Sequence, residues 1–287
     1  MDRADGTGGV VHLRRFGPSP CSDPNATNTG LQPDERRTED RRASDPRPTS
    51  TGPKTNEHRT PDRRAPDPRS TNQRSFPMHI PVSHGQLEAN LRDAEGEARG
   101  TAVICHPHPL HGGTMHSKAV FRSAQALSDV GFHTLRFNFR GVGTSTGSYG
   151  EGVDEQEDVR AALDWLEDAY PELPLLVGGF SFGSRVALRV GVEEERVRAL
   201  LGLGLAVSLF DYDFLGGITK PTLIVQGEED EFGGGPEVAA ALSELKGDIT
   251  LHRIAGSGHF FDGHFEELQD LIRDYFSTGP GAVPFVP

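Results

Sequence analysis

The stretch GGFSFGSRVALRV, residues 178–190, sets one serine between two phenylalanines and fences it with glycines. A serine hydroxyl is a weak nucleophile at neutral pH. It needs a base within hydrogen-bond reach, and the base needs an acid to orient it. Both residue types occur downstream in loop-like segments, GEED at 227–230 and AGSGHFFDGH at 255–264. Asp230 has the spacing to turn back toward His259, which sits between small residues and two phenylalanines. Ser181, Asp230 and His259 thus follow one another in the order serine, acid, histidine. The chemistry open to such a set is attack on a carbonyl carbon through a covalent acyl intermediate.

The pattern G-x-S-x-G is a weak signal alone, because GTSTG at 143–147 also matches it. Context separates the two. LPLLVGG before Ser181 reads as a strand, and Val186, Ala187 and Val190 after it read as a helix face. A strand-to-helix turn of this kind makes the positions two before and two after the serine collide, so both need glycine. Gly179 and Gly183 supply them. Ser145 has no strand leading directly in and no helix leading directly out. His264 competes for the role of base, on the helical side of its loop. Asp211 and Asp213, in LFDYDFL, compete for the role of acid, and Glu228 and Glu229 read as solvated loop charges.

The loop HPHPLHGGTMH, 106–116, holds four histidines, which raises the question of a metal. The carboxylate of an HxHxD array is missing, and no cysteine cluster supports one. We therefore expect no metal and no cofactor. The loop reads better as a source of backbone N–H groups aimed at the serine. Pro107 and Pro109 cannot donate, which leaves His108 or Leu110. With the N–H of Phe182 it would form an oxyanion hole. Leu110, Met115, Phe180, Phe182, Phe260 and Phe261 are candidates for the apolar lining of a substrate site.

Elements that could position these residues are visible in the pattern. His79–Val82 and Leu87–Leu91 flank SHGQ and suggest a hairpin. Apolar runs at 101–105, 132–139, 174–178, 197–207, 221–226 and 249–254 suggest strands. Helical spacing covers 118–130, 155–166, 182–190, 236–245 and 265–276, with Gly131 placed to end the first. Strand and helix alternate from residue 101 onward. The fold class expected is α/β, a mostly parallel sheet with helices on both faces and sites at the carboxyl ends of its strands.

The first 77 residues differ in kind. From Gln32 to Ser75 there is no Val, Ile, Leu, Met, Phe, Trp, Tyr or Cys. Such a segment has too little apolar surface to offset its ordering entropy, so 1–77 is expected to be disordered and 78–287 to fold. DRRASDPR and DRRAPDPR form a near-repeat within it. Charge divides at the same place: 1–77 carries 14 basic and 11 acidic side chains, and 78–287 carries 15 and 31. An acidic folded part opposes nucleic acid and anionic membranes as partners. No stretch approaches the length of a membrane span. The expectation is a cytoplasmic protein with a small-molecule ester substrate and, with Cys21 in the tail and Cys105 in a strand, no disulfide.

HPHPLHGG (106–113), NFRGVGTSTG (138–147), GFSFG (179–183), GEED (227–230) and GSGHFF (256–261) together resemble the alpha/beta hydrolases. The set is most similar to small lid-less bacterial serine hydrolases of the dienelactone-hydrolase-like kind. The resemblance implies Ser181 as nucleophile, Asp230 as acid, His259 as base, and His108 and Phe182 as backbone oxyanion donors. It also implies that RGVG is a structural loop. Dienelactone hydrolase itself uses cysteine where this chain has serine, so its particular substrate does not carry over. Only 48 residues separate Ser181 from Asp230, which leaves no room for a large helical lid. A carboxylic-ester hydrolase for small esters is the function expected. Peptidase, thioesterase or acyltransferase chemistry with the same three residues, or a non-catalytic scaffold, are the rivals.

Overall fold

A computed structural model describes residues 75–285. One eight-stranded sheet organises them, in the order β1-β2-β4-β3-β5-β6-β7-β8. Strands β1 (Ser75–Val82) and β2 (Gly85–Arg92) form the opening hairpin, closed by the two-residue turn Ser83–His84. β2 also runs antiparallel to β4 (Phe132–Phe137). Every other pairing is parallel, among β3 (Gly100–Cys105), β4, β5 (Leu175–Phe180), β6 (Val197–Leu203), β7 (Thr222–Gly227) and β8 (Ile249–Ile254).

The central strands are mostly apolar because both faces are covered. In β3, Val103 and Cys105 face one core, and Ala102 and Ile104 face the other. The first core takes α2 (Glu155–Ala169), α3 (Phe182–Glu193) and α4 (Gly235–Ser243), through Leu163, Val186 and Val238 among others. The second takes α1 (Lys118–Asp129) and α5 (Phe265–Ser277), through Val120, Leu127, Leu268 and Ile272. The α/β architecture with helices on both faces is therefore as the sequence pattern indicated. Gly131, at φ 92°, turns the chain from α1 into β4.

Three details differ from the sequence reading. The first strand opens at Ser75, so Ser75–Pro77, placed in the disordered segment above, pair with Asn90–Arg92. Backbone pairing at a sheet edge does not require apolar side chains, and prolines are tolerated there. The rest of that segment, 1–74 with its DRRA repeats and Cys21, lies outside the described residues. The run 197–207 is a strand only to Leu203, because Gly204 at φ 56° turns the chain out of the sheet. Likewise 132–139 leaves the sheet after Phe137, where Asn138 bonds to Glu88. Between β6 and β7 only a short 3-10 turn, Asp213–Leu215, interrupts the loop, so no helical lid is inserted there. Among the described residues no helix is long and apolar enough to cross a membrane.

The RGVG loop is held by a buried ion pair. Asp158 of α2, fully buried, accepts from the Arg140 backbone N–H at 2.9 Å and from its Nη2 at 2.8 Å. It also meets His84 Nε2 of the hairpin turn at 3.0 Å. One carboxylate thus ties the hairpin, the loop after β4 and α2. Removing it strands a buried guanidinium, although Glu157 and Asp154 remain nearby. Asp158→Ala is expected to cost about 3 kcal/mol of stability, read as a fall in the urea midpoint.

Candidate active site

The strand ends that build the site lie side by side. β5 delivers Ser181, and β3 lies next to it with Cys105 opposite Gly179. The loop that starts at His106 therefore runs past the serine. β6, β7 and β8 follow on the other side and deliver the loops that carry Asp230 and His259.

Ser181 occupies φ 55°, ψ −122°, in the region that side-chain-bearing residues avoid. Its N–H donates to Leu203 O at 2.9 Å, and its C=O accepts from Ser184 N–H at 2.9 Å. The flanking glycines are there for space. A Cβ on Gly179 would strike the carbonyl of Gly183, and one on Gly183 would strike the carbonyls of His106 and Cys105. The sharp turn pushes the serine hydroxyl up from the sheet edge.

Three side chains from distant segments meet there. His259 Nε2 lies 2.9 Å from Ser181 Oγ, and its Nδ1 lies 2.7 Å from Asp230 Oδ2. Asp230 and His259 are buried, while Ser181 is half-buried and reaches the cleft. A carboxylate only accepts, so Nδ1 carries the hydrogen and Nε2 is left to accept from the serine hydroxyl. Asp230 has two further donors. The Phe232 N–H reaches its Oδ1 at 2.8 Å, and Gln226 Nε2 reaches its Oδ2 at 2.7 Å. Gln226, fully buried at the end of β7, is itself locked by accepting from Leu205 N–H at 2.7 Å. The sequence reading passed over it. The available signal was a polar residue closing the apolar run PTLIV.

The histidine loop divides its imidazoles among separate tasks. His106 is fully buried, donates from Nδ1 to Pro107 O at 2.6 Å, and accepts at Nε2 from Phe139 N–H at 3.0 Å. Burial pushes its pKa down from the usual 6.5 to about 4. His108 accepts at Nδ1 from Leu110 N–H at 3.2 Å, which puts its hydrogen on Nε2, facing Tyr149 Oη at 3.2 Å. Burial, with the neighbouring His111 charge, also lowers the His108 pKa. His111 stacks on His108 with ring centroids 4.4 Å apart. Among the described residues no cluster of three or more His, Cys, Asp or Glu is placed to hold a metal ion.

Of the two amides considered for the oxyanion site, Leu110 N–H is already taken by His108 Nδ1. The N–H groups of His108 and Phe182 meet no acceptor among the described residues. Both residues line a cleft of about 670 Å³ that also contains Ser181 and His259.

A family model described as an alpha/beta hydrolase domain matches residues 101–269, more than half of the chain. The chain belongs to the alpha/beta-hydrolase family. An uncharacterized protein of Rickettsia prowazekii is 34% identical over 203 residues, covering 68% of this chain and 85% of its own. An alpha-beta serine hydrolase homologue from Coxiella burnetii is 37% identical, with a TM-score of 0.65, covering 69% of this chain and 95% of its own. An a/b serine hydrolase without lid from Xanthomonas campestris is 32% identical, with a TM-score of 0.66, covering 70% of this chain and 93% of its own. The lid-less branch expected from the motifs is the branch these hydrolase relatives represent.

Within this alpha/beta hydrolase, the rival residues all have other positions. Ser145 Oγ donates to Asn138 O at 2.6 Å and accepts from Glu88 N–H, as part of the loop after β4. Asp211 and Asp213 are exposed, and Asp211 faces Arg185. His264 faces Glu267 one turn into α5.

The lining needs correction. Phe180, Phe182 and Phe260 line the cleft, but Leu110 and Met115 do not. Leu110 stands 67% exposed on a 3-10 turn that begins at Pro109. Met115 is buried, its N–H on Asn138 Oδ1 and its C=O taking a hydrogen bond from Arg136. Phe261 is in the core between the sheet and α5. Leu209, Phe210 and Phe232 also line the cleft. Phe232 lies two residues past Asp230, and Leu209 and Phe210 open the run LFDYDFL, but nothing local in either stretch marks them as cleft walls.

The His106 environment has a measurable consequence. The folded imidazole stays neutral until about pH 4, while the unfolded one protonates near its usual 6.5. Between those values the unfolded chain binds the extra proton, so stability falls as pH falls through that window, by about 3 kcal/mol in all. In an NMR titration the His106 ring is expected to shift near pH 4, and a midpoint near 6.5 would contradict the burial argument.

Proposed function

We propose that this protein is a carboxylic-ester hydrolase that works through an acyl-enzyme at Ser181. The observation that carries the reading is the double reach of His259, 2.9 Å to Ser181 Oγ and 2.7 Å to Asp230 Oδ2. In this reading Ser181 Oγ bonds to the ester carbonyl carbon as its proton passes to His259 Nε2. The carbonyl oxygen becomes an oxyanion and rests on the N–H groups of His108 and Phe182. One such donor contributes about 3–4 kcal/mol to the transition state. The bond from carbon to the alcohol oxygen then breaks, and that oxygen takes the proton from Nε2. Water repeats the sequence: its proton goes to His259, its oxygen bonds to carbon, and Ser181 leaves with the proton restored.

Asp230 acts by holding the imidazole in the tautomer that accepts at Nε2 and by balancing the positive charge that forms on it. Gln226 and the Phe232 N–H hold Asp230 in turn. The cleft is open because nothing longer than the 3-10 turn Asp213–Leu215 is inserted between β6 and β7, which suits small, dissolved esters.

Labelling with a fluorophosphonate probe, with and without Ser181→Ala, tests the assignment. The wild type is expected to label and the variant not, with kcat falling by at least about 10⁴-fold. A correctly folded wild type that neither labels nor hydrolyses nitrophenyl esters would end the reading. Aminoacyl amides and acyl-CoA in the same panel separate peptidase and thioesterase activity.

Gln226→Leu removes one hydrogen bond to an ionised, buried carboxylate. It is expected to lower kcat by about 10- to 100-fold with little change in KM. A rise in KM of that size with kcat unchanged would place Gln226 outside the catalytic step.

A further inference from the structure

The way the proton must leave fixes where half of the substrate lies. On the ester-hydrolase reading above, the alcohol oxygen departs only when His259 Nε2 gives it a proton. That oxygen must therefore lie within hydrogen-bond reach of Nε2. The first carbons of the alcohol then begin beside the imidazole.

Three phenylalanines stand around that imidazole. Phe232 lies 4.8 Å from it, centroid to centroid, and meets it edge-on at 72°. Phe180 lies at 4.9 Å, and Phe260 at 5.2 Å and 83°. All three line the cleft, and Phe180 packs edge-on against Phe260 at 6.2 Å. Phe180 is buried, but Phe260 is 56% exposed. The phenyl ring of Phe260 thus keeps much of its surface in water, inside the cleft, next to the base.

Most of the polar lining comes from another segment. His111, Ser117 and Lys118 come from the segment between β3 and the first turn of α1. Asp262, beyond Phe260, is paired with Lys118 at 3.2 Å. A sugar-like or charged alcohol would give up hydration beside His259 and meet ring carbons in return. An apolar alcohol loses little hydration and covers Phe260 and Phe232.

We infer that Phe180, Phe232 and Phe260 form the alcohol subsite, and that the esters preferred are those of apolar, ring-sized alcohols. The opposing arrangement, with an apolar acyl group setting the preference, makes the opposite forecast in the same experiment.

Two substrate pairs distinguish them. Ethyl acetate against 2-phenylethyl acetate varies the alcohol, whose oxygen has similar basicity in both. Ethyl acetate against ethyl 3-phenylpropanoate varies the acyl group. With the full chain, kcat/KM is expected to rise at least about tenfold along the alcohol pair and by less along the acyl pair. In Phe260→Ala the alcohol ratio is expected to fall to within about threefold of unity, while the acyl ratio holds. Phe232→Ala, at a second ring, is expected to lower the same ratio.

A preference that follows the acyl pair, or a Phe260→Ala variant that lowers both ratios alike, overturns the subsite while Ser181 labelling keeps the hydrolase reading intact. Absence of labelling in the wild type overturns both together.

Discussion

The backbone of Ser181, at φ 55°, is the constraint on which the site depends. An unfavourable conformation persists only where the surroundings over-determine it. Here Leu203 O and Ser184 N–H hold the residue from the neighbouring strand and the following helix. Gly183 lets the carbonyls of Cys105 and His106 come against the helix start. That close approach also brings the His106–His108 backbone alongside the serine. The turn that lifts the hydroxyl and the loop that offers amide hydrogens are one packing arrangement.

Around this point the sheet edge buries several polar groups that are given partners. His106 bonds the loop after β3 to the loop after β4. Asp158 gathers Arg140 and His84, and Glu155 accepts from the N–H groups of Gly150 and Gly152. Gln226 links Leu205, Gly233 and Asp230. Buried polar groups are costly unless satisfied, and satisfied ones allow little alternative geometry. These contacts join the loops into a rigid rim, so His259 meets Ser181 and Asp230 without a closing motion.

The cleft has two kinds of wall because different loops supply them. The segment between β3 and α1 brings His111, Ser117 and Lys118. The loops after β6, β7 and β8 bring Leu209, Phe210, Phe232 and Phe260. Ser181 and His259 both line this cleft, and His259 comes from the loop after β8.

The sequence by itself determined the order of elements and singled out Ser181, Asp230 and His259, which the fold brings within hydrogen-bond reach of one another. Apolar periodicity is local, and a glycine two residues either side of a serine marks a turn that sterics permit in few ways. Ser181 was legible for that reason, and Asp230 and His259 from their place in the loops that follow later strands. Tertiary structure alone decided which amide of the histidine loop stays free, because Leu110 N–H is spent on a ring whose orientation depends on Tyr149. It also decided the lining. Met115 and Phe261 read as candidate walls but are buried, and Leu110 faces solvent. Leu209, Phe210 and Phe232 line the cleft although nothing local in their stretches marks them as walls. Whether a phenylalanine faces a cleft or a core depends on how separate loops cross, and that crossing is a property of the packed sheet edge and not of any short stretch of chain.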